Sequence, residues 1–216
     1  MPFGYVGTVP NQQVQNSGVF SVTEQLKLSS DKNLGSALQF IDEKNPTNSS
    51  AIDFTSIKQS RYSVHLIQAN ISYDGTADTN YSHYMRVITS GGVQSGSDYK
   101  YAGKNLKSEN STDNDRNEGS GTYWDLEGSQ DRAAHYSNFY IYVYGAGDSS
   151  RTTQFTYHKV SHISTERGRY LYSGGKYDQN SEVTGFRIYP STGATLSGNL
   201  KLYGLVQWVL LDILKL

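Results

Sequence analysis

The chain has no cysteine. That excludes a disulfide framework, thiolate chemistry and cysteine-held zinc. It has little charge: charged residues are 18% of the 216, and 19 Lys and Arg stand against 20 Asp and Glu, for a net charge of -1. A chain so balanced makes no field for a nucleic acid or an anionic lipid surface. No apolar run approaches the roughly 20 residues a membrane helix needs, so membrane insertion is not expected. The opening Met1–Tyr5 has neither the basic nor the apolar stretch of a signal peptide, and none is expected there. No phosphate-binding loop, dinucleotide fingerprint or G-x-S-x-G elbow occurs, so no cofactor and no catalytic serine are expected.

What the chain does have is tyrosine and glycine, 18 and 21 residues. The organising stretch is Asn138–Val160. Phe139, Ile141 and Val143 alternate with Tyr140, Tyr142 and Tyr144. A period of two in aromatic and β-branched residues predicts a strand. Gly145–Ser150 supplies turn residues, and Thr153, Phe155 and Tyr157 then alternate with Gln154, Thr156 and His158. The prediction is a hairpin with one apolar face and one tyrosine-rich face. Tyr140, Tyr142 and Tyr144 would lie across from Gln154, Thr156 and His158 or their neighbours, as a subunit interface or a ligand face.

Further strands are predicted at Ser36–Ile41, Ala51–Ile57, Arg61–Ser72, Tyr81–Thr89, Asp98–Ala102, Thr122–Leu126, Arg169–Tyr172, Val183–Tyr189 and Thr195–Leu205. Turn chemistry separates them at Asn45-Pro46, Asp74-Gly75, Gly91-Gly92, Ser173-Gly174-Gly175 and Ser191-Thr192-Gly193. Short strands in such number predict an all-β, antiparallel, jelly-roll-like sandwich over residues 21–205.

Three stretches depart from that rhythm. Residues 1–20 show no periodicity, and an extended assembly arm is expected. Its apolar residues, Phe3, Tyr5, Val6 and Val9, are too sparse for a core and suit a groove on a neighbouring subunit. Lys104–Ser120 is charged and nearly free of apolar residues, which predicts a long solvated loop. The tail Val206–Leu216 places Val206, Val209, Leu210, Ile213 and Leu214 on one helical stripe. Trp208 and Leu211 widen it, so this segment is expected to bury itself against a partner.

Candidate chemistry is thin. His158 and His162 lie in a strand pattern, where i and i+4 are about 13 Å apart, too far to share a metal. Asp113, Asp115 and Glu118 lack the spacing of an EF-hand loop, so a solvated acidic loop is the expectation and no metal site. Tyr123, Trp124 and Asp125 combine rings with a carboxylate, the kind of platform that sugars use. They are the candidate glycan contacts. Glu127 shares a strand face with Asp125 as a possible acid pair.

Four segments in this order carry a resemblance: PFGYVGTVPNQQVQNSGVFSV, IDFTSIKQSRYSVHLIQANIS, YIYVYGAGDSSRTTQFTYH and FRIYPSTGATLSGNLKLYGL. Together they resemble virion structural proteins of marine tailed phages, cyanophages especially. The resemblance runs to Leu205, is weak in Lys104–Ser120 and does not include the tail. It implies a β-rich, non-enzymatic subunit on the outside of a virion, as a capsid decoration or a tail appendage. Its partners would be other copies of the chain, as a homotrimer, and other virion proteins. The alternative is a tail fibre or spike module that recognises a host surface glycan.

Overall fold

A computed structural model of the chain describes residues 38–74, 80–108, 114–126, 131–132, 136–164, 167–191 and 193–205. Every element among them is a strand: β1 (Leu38–Lys44), β2 (Ile52–Phe54), β3 (Val64–Asp74), β4 (Asn80–Tyr81), β5 (His83–Thr89), β6 (Gly92–Val93), β7 (Tyr99–Lys107), β8 (Asn114–Gly121), β9 (Trp124–Asp125), β10 (Asp131–Arg132), β11 (Ser137–Tyr144), β12 (Thr153–Ser164), β13 (Arg167–Tyr177), β14 (Gly185–Pro190) and β15 (Thr195–Leu205). The fold is the expected all-β, jelly-roll-like sandwich. An eight-stranded sheet runs β1-β15-β3-β11-β12-β13-β7-β8, and a five-stranded sheet holds β2-β14-β5-β6 with β9 on β5. β4 and β10 make a small separate pair. All neighbours are antiparallel.

The β11–β12 hairpin sits at the centre of the large sheet. Tyr140 pairs with His158, Tyr142 with Thr156 and Tyr144 with Gln154, on the face read from the alternation. Phe139, Ile141 and Val143 are buried, while Tyr140 and Tyr144 are exposed and Tyr142 is half-buried. The inner face of the large sheet meets Ile52, Phe54, Met85, Val87, Phe186 and Ile188 of the small one in a single core. Each such side chain contributes about 1.5–3 kcal/mol when fully buried.

Buried polar rings are built into that core. His83 stacks on Phe139 at 4.8 Å, and its two ring nitrogens hydrogen-bond the hydroxyls of Tyr73 (2.5 Å) and Tyr157 (3.2 Å). A hydroxyl can donate or accept, so both nitrogens of the imidazole are satisfied without charge.

Two expectations are corrected. Lys104–Ser120 is not a free loop, because β7 and β8 pair through it, with Lys104 opposite Asp115 and Asn105 opposite Asn114. β8 is the outermost strand of its sheet, so Asp115 and Glu118 face water, and no apolar alternation is required of it. Residues 109–113, which include Asp113, lie outside the described residues. Ser173-Gly174-Gly175 is not a turn either, but the middle of β13. A Cβ on Gly175 would fall 2.1 Å from the Lys100 carbonyl oxygen and 2.7 Å from the Phe155 ring. Glycine stands there so that the ring can lie against the strand.

Candidate functional site

The outward side of the eight-stranded sheet carries the tyrosines. Cross-strand register sorts it into rows. The first runs Leu205–Val64–Tyr144–Gln154, and the second Tyr203–Leu66–Tyr142–Thr156. Strand β1 adds Leu38 beside Leu205 and Phe40 beside Tyr203. Phe40 is 56% exposed, although its ring meets Tyr203 edge-on at 5.9 Å. Leu66 is buried beneath these rings. This half of the face is apolar and aromatic.

The other half is built differently. A third row runs Lys201–Gln68–Tyr140–His158–Tyr172 and a fourth Asn199–Asn70–Asn138–Val160–Tyr170. The Tyr140 and His158 rings stack at 5.0 Å, 9° from parallel. His158 Nδ1 shares a hydrogen bond with the Tyr170 hydroxyl at 2.8 Å. Asn70 donates to Asn138 Oδ1 at 2.5 Å, and Asn199 donates to Glu43 and Asn45. Between the two rows lies a groove of about 420 Å³. Gln68 and Lys201 line it, and their side chains make no hydrogen bond among the described residues.

The outward side of the small sheet has its charged groups held by other groups of the same face. Arg187 holds Asp53 through two bonds of 2.7 and 2.6 Å. Arg86 donates to the Thr122 carbonyl at 2.9 Å and lies over the Tyr189 ring. Tyr84 stacks on Tyr123 at 4.1 Å. Burial, then the charge of Tyr123 and Asp125, pushes the Tyr84 hydroxyl up to about 12. Tyr189 rises to about 12 as well, chiefly by burial. These phenols hold their protons at neutral pH and are no general base there.

The proposed glycan platform does not survive this packing. Trp124 is fully buried, donates Nε1–H to the Lys176 carbonyl at 3.0 Å, and packs on Phe155 at 4.3 Å. Alternation along β9 then turns Tyr123 and Asp125 the other way. Asp125 is paired with Arg116, and Tyr123 is held against Tyr84. Glu127 lies outside the described residues. So do the arm residues Phe3, Tyr5, Val6 and Val9, and the tail residues Val206, Val209, Leu210, Ile213 and Leu214. Among the described residues, no three His, Asp or Glu side chains converge as a metal site, and no helix is long and apolar enough to cross a membrane.

Sequence reasoning found the central tyrosines and missed their neighbours Gln68, Asn70, Asn199, Lys201 and Phe40. Only long-range pairing brings these beside the hairpin: β3 with β11 for Gln68 and Asn70, and β15 with β3 and β1 for Asn199, Lys201 and Phe40. Tyr170 and Tyr172 were legible, since Arg169–Tyr172 alternates.

No model of a known protein family matches the chain, and no curated protein sequence does. Among solved structures, it is similar to an alginate lyase, A1-II', a member of polysaccharide lyase family 7. The two are 11% identical, with 68% of this chain and 64% of that chain covered and a TM-score of 0.25. The chain thus spans less than two thirds of that enzyme, and nothing of its chemistry is carried over.

Proposed function

We propose that the protein is a non-enzymatic structural component of a tailed-phage virion surface, a capsid decoration or an appendage-attachment subunit. It works by contact, through the apolar half of the large sheet's outer face. The observation that carries this reading is Phe40 at 56% exposed and Leu38 at 39%, on the same face as Tyr144 at 37%, with β15 and β3 between them. Large apolar side chains grouped on one face favour being covered by another protein. The ordered resemblance of four segments to virion proteins supplies the setting. The covering partner is another copy of the chain in a homotrimer, and the finished oligomer docks on other virion proteins.

The test pairs light scattering with binding to purified particles lacking the protein. The wild type is expected as a trimer that binds them. Phe40→Ser combined with Tyr144→Ser is expected as a folded monomer that does not. A double variant of unchanged mass and unchanged binding would overturn the proposal.

A further inference from the structure

We infer that the groove on the polar half of the same face is a binding site for a neutral pyranose glycan chain. The site is distinct from the apolar half and has different chemistry. Its floor is a ladder of short side chains, Asn199, Asn70, Asn138 and Val160, opposite one another on four successive strands. Along one side stand the longer Lys201, Gln68, Tyr140 and His158. Tyr170 closes the β13 end. Five strands at a spacing of about 4.8 Å give the groove a reach of about 19 Å, room for several sugar rings in a line.

The lining fits a sugar better than the other polymers. The Gln68 amide sets a donor and an acceptor side by side, the pattern that neighbouring hydroxyls of a pyranose offer in return, and the floor amides add the groups not used between Asn70 and Asn138 or by Asn199 on Glu43 and Asn45. Tyr140 and Tyr170 supply ring surface for the C–H side of the sugar; the Tyr170 hydroxyl is shared with His158, and that of Tyr140 is left for water or ligand. The side chains of Gln68 and Lys201 reach into the groove with no hydrogen bond among the described residues. The small sheet's outer arginines and acid, by contrast, are already matched. Charge argues for a neutral polymer: Lys201 sits opposite Glu43 on the neighbouring strand, so the β15 end carries one charge of each sign. A phosphate backbone would need cations along the groove, and an extended peptide would need a free strand edge or side-chain pockets. The groove lies on a sheet face, over backbone already paired on both sides.

The full chain is run through native gels holding a soluble neutral polymer, dextran, galactomannan or a mixed-linkage β-glucan, with polygalacturonate as the acidic comparison. At least one neutral polymer is expected to slow the protein, to the same extent at low and high salt. Tyr140→Ala is expected to weaken that retardation by about tenfold, the scale of one lost aromatic contact. Gln68→Ala, a change at an exposed position, is expected to weaken it too. Tyr144→Ser, outside the groove, is expected to leave it unchanged. If no neutral polymer slows the wild type, the proposal fails. It fails also if only polygalacturonate does so and salt abolishes the effect, or if the Gln68→Ala protein migrates as the wild type. None of these outcomes bears on the apolar half, whose role is read by particle binding.

Discussion

Phe139 and Tyr142 stand three residues apart on β11 and meet opposite surroundings. Phe139 is 4% exposed and stacks on His83. Truncation to alanine should cost about 3–5 kcal/mol, leaving a cavity beside a hydrogen-bonded histidine. Phe139→Ala is therefore expected to be mostly insoluble, and Tyr142→Ser to keep a melting temperature close to the wild type. Reversed behaviour would mean a register shifted by one. His65 makes a second prediction at this scale. Its Nε2–H donates to the Ile57 carbonyl at 2.8 Å, and its ring meets Phe186 edge-on at 5.8 Å. Burial lowers its pKa below the ordinary 6.5, and the bond to Ile57 offsets this only in part. The unfolded chain thus takes up a proton that the folded chain refuses. The stability tied to this group is fully present above about pH 6.5 and is lost as pH falls through the lowered value. Melting temperature should drop on going from about pH 7 to about pH 5, and drop less in His65→Gln, which keeps a donor for Ile57. Equal slopes in the two proteins would assign the effect to another group.

β13 shows how an element can defy its own composition. Its central Ser-Gly-Gly reads as a break, yet it is paired on both sides, with β12 and with β7. Gly175 stands where the Lys100 carbonyl and the Phe155 ring leave no space for a Cβ. Gly175→Ala is expected to destabilise by about 1–3 kcal/mol, as overpacking does. Gly174, whose would-be Cβ meets nothing nearer than 3.3 Å, should accept alanine with a smaller loss. Urea unfolding of the two variants checks the difference, and equal losses would mean that β13 tolerates neither for a reason other than this ring. β12 makes the converse point. Its alternation runs on past His158, so Lys159 turns inward and is buried while Val160 is 55% exposed. The strand's direction of side chains is fixed by its pairing, and one residue of each kind is carried to the unexpected side.

At the scale of the whole molecule, one sheet presents two surfaces with different partners in view. Both halves cross β15, β3, β11 and β12: the apolar half lies at the Leu205–Tyr144 end, with β1 beside it, and the amide half lies further along the same strands. The two should be separable by mutation. Tyr140→Ala is expected to keep the wild-type mass in light scattering. Phe40→Ser is expected to keep the wild-type retardation by neutral polymer while losing assembly. A variant that lost both together would show that the face acts as one surface, with assembly building the groove.

The sequence by itself determined the class of fold, because a period of two in apolar residues admits only strands with one buried side. It determined the central hairpin and which of its side chains share a face, because a Gly-rich connection separates two alternating runs; the pairing of Tyr140 with His158 was fixed only in the folded sheet. The burial of Trp124 was decided only in three dimensions, since β9 is two residues long and carries no period of its own. The pairing of β7 with β8 was hidden for a related reason: an edge strand facing water has no apolar stripe to betray it. The two halves of the outer face were decided by the tertiary structure alone. Leu38, Phe40, Lys201 and Tyr203 reach the tyrosines only because β15 inserts between β1 and β3. That insertion depends on which inner faces cover the shared core, and no local pattern in the chain records it.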